Sequence, residues 1–178
     1  MRFFSAFFLL ASVVVAGFAA SVANVKSDIG QTLTFVKALD DAINKIPSNG
    51  ATLSQGIAIQ SNLIKAENAL DKGTTDVKAT PPFDADASKD ILAAFKTIVP
   101  TNVHLLKNVV AKKASIVRIP FPGIAGLVRD ALKKLQASSD AFQNVLIESY
   151  HSEDDKNEAR GIKGELDAAF GDAVRAYS

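Results

Sequence analysis

The chain has two histidines, His104 and His151, and no cysteine. Without a thiol there is no thiolate nucleophile, no disulfide framework and no cysteine zinc site. His104 stands among Val103, Leu105 and Leu106, with no carboxylate or second ligand at a useful spacing. It reads as a partly exposed structural histidine. His151 falls at a corner between two helical segments and reads as solvated. Asp40 and Asp41 form a helix-surface pair rather than a positioned acid and base. The run Glu153-Asp154-Asp155 could be taken for a metal site, but adjacent residues on a helix point in different directions. It sits instead just after Ser152, where a helix start favours negative charge. Lys112-Lys113 and Lys133-Lys134 are short solvated pairs, and Gly123-Ile-Ala-Gly126 is only a glycine pair at a helix start. No Gly-x-Ser-x-Gly elbow, His-Glu-x-x-His, phosphate loop or dinucleotide fingerprint occurs. The residues assemble no enzyme, and no cofactor or metal is expected. An esterase is the enzymatic alternative, and turnover of a chromogenic ester would be its sign.

What the chain offers instead is apolar surface on long helices. The segment Gly123–Tyr150, helix four in chain order, carries Ile124, Leu127, Val128, Ala131, Leu135, Ser138, Phe142 and Val145 at steps of three and four. That spacing makes one stripe of an α-helix, which needs helical partners to cover it. Ser138 is the polar member of the stripe. Its hydroxyl either bonds back to the Lys134 carbonyl or faces a cavity.

The partners can be read off in order. Helix one runs from about Val25 to Ile46, and Pro47-Ser48-Asn49-Gly50 ends it. Helix two runs from about Thr52 to Lys78, with Gly73 marking a close helix approach or a frayed end. Thr80-Pro81-Pro82-Phe83 cannot be helical. Helix three starts near Asp86 or Ser88, and its stripe from Leu92 to Val117 keeps its period through Pro100. A kinked helix is expected there rather than two separate ones. Helix five is capped by Ser152 and faced by Ile162, Leu166, Phe170, Val174 and Tyr177. The expectation is an all-α, antiparallel five-helix bundle, because short links favour antiparallel neighbours.

At 178 residues the chain suffices for one domain with a substantial core. Charge is nearly balanced, with 20 Lys+Arg against 19 Asp+Glu, so nucleic acid is not an expected partner. Residues 1–19 have the layout of a secretory signal peptide: Arg2, an apolar run to Ala16, then small residues. Cleavage fits after Ala19 or after Ala23, leaving a domain from residue 20, or at latest 24, to 178. No later segment is long and apolar enough to span a bilayer, so the protein is expected to be secreted.

Several of these features together resemble a known family. They are the signal peptide, the opening helix Asp28-Ile29 to Ile43, and the Pro81-Pro82 linker. Ala111-Lys112-Lys113, Asp130 to Leu146 and the closing Ala173-Val174-Arg175-Ala176-Tyr177 complete the set. The chain resembles the fungal hydrophobic surface-binding protein A family, which includes cell-wall galactomannoproteins. The resemblance implies an extracellular or wall-associated helical protein that binds hydrophobic material, with cell-wall components as further partners. For the mannoproteins it implies long-chain fatty acids held inside a five-helix bundle. This chain lacks their long Ser/Thr-rich tail, which favours a free secreted form. Under this reading the bundle holds an apolar groove or tunnel lined by the inner stripes. The candidate lipid contacts are Phe95, Val99 and Leu106 on helix three, Ala131, Leu135, Ser138 and Phe142 on helix four, and Leu166 and Phe170 on helix five. The alternative is a structural wall protein with a closed core and no small-molecule ligand.

Overall fold

A computed structural model describes residues 20–178. The signal peptide expected over residues 1–19 lies outside them. The described chain folds as α1 (Val22–Asn44), α2 (Leu53–Ala79), α3 (Ala85–Lys96), α4 (Val99–Ala111), α5 (Lys113–Ile116), α6 (Ile124–Ser149) and α7 (Glu153–Ala176). No strand occurs among the described residues.

Local chemistry sets the helix starts. The Ser21 hydroxyl accepts from the Asn24 N–H. Thr52 and Gln55 form a reciprocal capping box, in which the Thr52 N–H donates to Gln55 Oε1 at 2.9 Å. Ser152 Oγ accepts from the Asp155 N–H, as its position before the acidic run predicts. α3 begins earlier than expected: Asp84 is the cap, its Oδ1 accepting from the Ala87 N–H at 2.8 Å. Ser88 is instead fully buried, and its hydroxyl receives the His151 N–H from the turn before α7. α6 starts at Gly123, whose φ of 76° is the left-handed conformation open to glycine.

The single kinked helix expected across Pro100 is divided. Thr97 and Ile98 close a tight turn onto the Ala94 and Phe95 carbonyls. Pro100 then falls in the first turn of α4, where a missing N–H costs nothing because that group has no intrahelical partner. The apolar period survives because α3 and α4 occupy one position in the bundle, both packed between α1 and α7.

Counting α3 and α4 as one position, the helices form a ring in the order α1, α2, α6, α7, α3/α4 and back to α1. The expected antiparallel arrangement is only partly present. α1 and α2 run antiparallel, joined by Lys72–Asp28 near one end and Asn62 to the Ala38 carbonyl further along. α6 and α7 do the same. Three seams are parallel. α1 pairs with α3/α4 through Lys26–Asp90 at its start and Lys112 to the Ile46 carbonyl at its end. α2 and α6 meet at Glu67–Lys134 and again at Gly73 and Phe142. α7 follows α3/α4 from Lys96–Glu158 to the Tyr177 hydroxyl on the Val109 carbonyl. The links α2–α3 and α4–α6 each skip a ring position. Helices consecutive in sequence are therefore antiparallel while spatial neighbours need not be.

Candidate functional site

Let the upper end be where α1 begins and the lower end where it stops. In the upper half the parallel pair α2 and α6 is closed. A Cβ on Gly73 would lie 2.8 Å from Cε2 of Phe142, so only glycine lets the two helices approach this far. Phe142 packs edge-on against Phe95 with ring centroids 6.5 Å apart. Phe83 caps this end, its N–H bonded to the Ser149 carbonyl and its ring edge-on to Tyr150.

Below Gly73 the seam is crossed once more, by Lys134 Nζ on Glu67 Oε2 at 2.7 Å. That hydrogen bond raises the Lys134 pKa. Beyond it the two helices diverge. No residue from Leu53 to Lys65 of α2 is buried, whereas Ala66, Glu67, Ala69, Leu70, Gly73, Thr74 and Val77 are. In α6 burial likewise begins only at Leu132. The gap between the diverging halves is a cavity of about 730 Å³. Leu39 and Ile43 of α1, Leu105, Leu106 and Val109 of α4, and Ala131, Leu132 and Leu135 of α6 form its walls. Ile116 and Ile119, from α5 and the turn after it, contribute from the lower end. Its rim is apolar yet exposed: Leu53 at 64%, Ile57 at 59%, and Phe121 and Leu127 each at 51%. The only charged groups on the lining are Glu67, Lys134 and Asp130. Such walls can hold an extended apolar chain but present no group that could attack one.

The nine candidate contacts separate. Leu106, Ala131 and Leu135 line the cavity. Phe95, Val99, Phe142, Leu166 and Phe170 are buried in the packed core and are not on its lining. Ser138 is half-buried and off the lining; the buried serine is Ser139, whose hydroxyl accepts from Gln143 Nε2 at 2.9 Å. The buried row of α6 runs Leu132, Leu135, Ser139, Phe142, Leu146, so alternate members of the expected stripe lie one residue off. Sequence reasoning missed the rim on α2. Its signal is the absence of any charged residue from Ile46 to Ile64.

Asp40 and His104 also need revision. Asp40 is buried, not a helix-surface carboxylate, and His104 Nδ1 lies 2.9 Å from its Oδ2. Asn108 donates to the other oxygen at 2.7 Å. The carboxylate missing from the local sequence thus comes from α1, across a parallel seam. No hydroxyl hydrogen-bonds to this imidazole among the described residues. No group of three potential metal-ligating side chains occurs among them either.

A family model for hydrophobic surface binding protein A matches residues 22–148. The chain belongs to this family. The match spans α1 to α6 and so includes every wall of the cavity. The hydrophobic surface binding protein A fold recurs in solved structures. Afmp4p in complex with palmitic acid is 28% identical over 88% of this chain and 99% of its own, with a TM-score of 0.81. Ligand binding domain 1 of the Penicillium marneffei MP1 protein, complexed with arachidonic acids, shares 13% identity at a TM-score of 0.78, covering 88% of this chain and 99% of that domain. Domain 2 of the same protein gives 13% and 0.76, covering 86% and 91%. At these identities the two MP1 domains are similar in fold alone. No curated protein matches the chain in sequence. No helix among the described residues is long and apolar enough to cross a membrane.

Proposed function

We propose that this protein is an extracellular, non-enzymatic carrier of long-chain fatty acids, held in the cavity between α1, α2, α4 and α6. The observation that carries the reading is an apolar cavity of about 730 Å³, open at one end, in a fold shared with a 28% identical protein that is in complex with palmitic acid. The volume falls in the range of about 300–1,000 Å³ usual for ligand pockets. Aliphatic walls suit an acyl chain, since each buried methylene contributes ~0.8 kcal/mol before ordering costs are subtracted. Lys134, held by Glu67 at 2.7 Å, is the cation on the lining, and a ligand carboxylate at this edge would share it with Glu67. Leu106, Ala131 and Leu135 are the contacts among the nine candidates.

Secretion belongs to the same reading. Cleavage after Ala19 leaves Ser21 to cap α1, whereas cleavage after Ala23 would remove that cap and the first two residues of the helix. The mature protein should therefore begin at Ala20, which N-terminal sequencing from culture medium would check.

The test of the carrier is Ala131→Phe against Ala173→Phe. Ala131 is half-buried on the cavity wall, so a ring there enters the cavity. Its stability should change little, while long-chain fatty acid recovered by extraction and mass spectrometry falls. Ala173 is fully buried in α7, away from the cavity, where overpacking costs ~1–3 kcal/mol. Native protein that yields no extractable fatty acid and takes up no palmitate after delipidation would end the proposal.

A further inference from the structure

The open end of the cavity has two properties that holding a fatty acid does not require. The first is the rim. Leu53, Ile57, Phe121 and Leu127 stand exposed around one opening, a contiguous apolar grouping rather than apolar residues scattered singly. The chain that carries them is uncharged from residue 46 to 64 and again from 119 to 128. The second is the collar around it. Residues 42–66 and 97–129 together hold seven lysines and arginines and not one Asp or Glu, in a chain whose net charge is only +1, while Asp172 at the lower end of α7 is paired with Arg175. Lys45, Lys65 and Lys113 make no ion pair among the described residues. Arg118 and Lys112 donate to the Ser48 and Ile46 carbonyls, which are neutral and leave their charge uncancelled. The carboxylates on the lining are already matched, Glu67 by Lys134 and Asp130 by Arg129. Asp41, on the last turns of α1, is exposed and forms no ion pair with these cations among the described residues, so it offsets one of their charges at most.

We propose that this end docks on an anionic lipid surface, so that the cavity opens onto the source of its ligand. The four apolar side chains enter the acyl boundary, and the lysines and Arg118 hold the head groups. The cations choose the partner. Against a neutral hydrocarbon surface they would lose water and gain no counter-charge, whereas an anionic interface replaces that water with head-group oxygens. The proposal rests on the fatty-acid reading of the cavity but can be tested apart from it.

The probes are vesicles of phosphatidylcholine alone and of phosphatidylcholine mixed with phosphatidylglycerol. The chain has no tryptophan, so Leu53→Trp puts a single reporter at the rim. Ala79→Trp puts one at the exposed upper end of α2. The expected result is a blue shift of Leu53→Trp emission with anionic vesicles only, and none for Ala79→Trp. Lys45→Gln/Lys65→Gln/Lys113→Gln should weaken vesicle binding at least tenfold, each charge being worth about fivefold near such a surface. None of these lysines lines the cavity, so palmitate affinity in vesicle-free buffer should stay within about twofold of the parent. Equal binding to neutral vesicles, an equal shift from Ala79→Trp, or undiminished binding of the triple variant would each overturn the proposal. Protein that takes up palmitate from solution but never binds vesicles refutes the docking alone. Protein that docks but takes up no palmitate refutes the cavity reading alone.

Discussion

Tyr150 and Tyr177 are both buried, and burial raises the pKa of both phenols. Their hydroxyls differ. Tyr177 Oη donates to the Val109 carbonyl at 2.9 Å, whereas Tyr150 Oη has no hydrogen-bond partner among the described residues. Tyr177→Phe should therefore cost about 1 kcal/mol, with a carbonyl left behind, and Tyr150→Phe should be neutral or stabilising. Urea unfolding of the two variants checks this, and the opposite order would refute it. Asp28 offers a pH-dependent case. Burial raises its carboxyl pKa, and the Lys72 ammonium at 2.6 Å only partly offsets that. A carboxyl with a raised folded pKa binds its proton more tightly in the folded state. Its contribution to stability is full below the ordinary carboxylate range and is lost as pH rises through the raised value. Asn imitates the protonated form. Asp28→Asn should thus gain stability relative to the parent between pH 4 and pH 7, as measured by denaturant midpoints at each pH. A relative gain that shrinks over that interval would contradict the assignment. Little of this was legible from sequence. Asp40 reads as a surface acid until a partner helix covers it, and His104 acquires its carboxylate from a residue 64 positions away.

The helices themselves were more legible. Ser152, the Pro47–Gly50 turn and the 80–83 linker mark boundaries by local chemistry, and local chemistry is in the sequence. Pro100 shows the limit, because an unbroken apolar period is equally consistent with a kink and with two helices sharing one slot. Glycine separates the same two kinds of information. Gly164 lies in α7, exposed, and a Cβ added there would meet nothing within 4 Å. Gly164→Ala should raise stability by ~0.5–1 kcal/mol through helix propensity alone. Gly73→Ala gains the same propensity but drives its methyl into Phe142, which is 1% exposed and held by Phe95. Overpacking of ~1–3 kcal/mol should exceed the gain. Thermal unfolding should move in opposite directions for the two variants, and Phe142→Leu in the Gly73→Ala background should recover part of the loss. A melting temperature for Gly73→Ala at or above the parent would mean that the ring yields.

For the molecule as a whole, an apolar stripe says which face of a helix is inside but not which neighbour it meets. The ring order and its three parallel seams follow from links that skip a position, and no residue type announces that. The cavity was legible where it coincides with the stripes, at Leu106, Ala131 and Leu135, and illegible elsewhere. The large aromatics fill the closed part of the bundle, and Phe95, Phe142 and Phe170 accordingly lie in the packed core and off the cavity lining. The rim lies on a part of α2 whose exposure depends on the divergence from α6. That divergence has a kinetic consequence. Residues 53–65 of α2 hold no buried residue and touch the core only through the half-buried Ile59 and Leu63, while residues 66–79 are locked against α6 at Gly73. One continuous helix therefore belongs to two cooperative units. In amide hydrogen exchange the ligand-free protein should lose protection at residues 53–65 through local opening, while 66–79 exchange only with global unfolding. Palmitate should slow the first set toward the second and leave the second unchanged relative to the global rate. Uniform protection along α2 without ligand would contradict this. A helix that keeps two clocks, and has them brought together by the molecule it carries, reports its own occupancy.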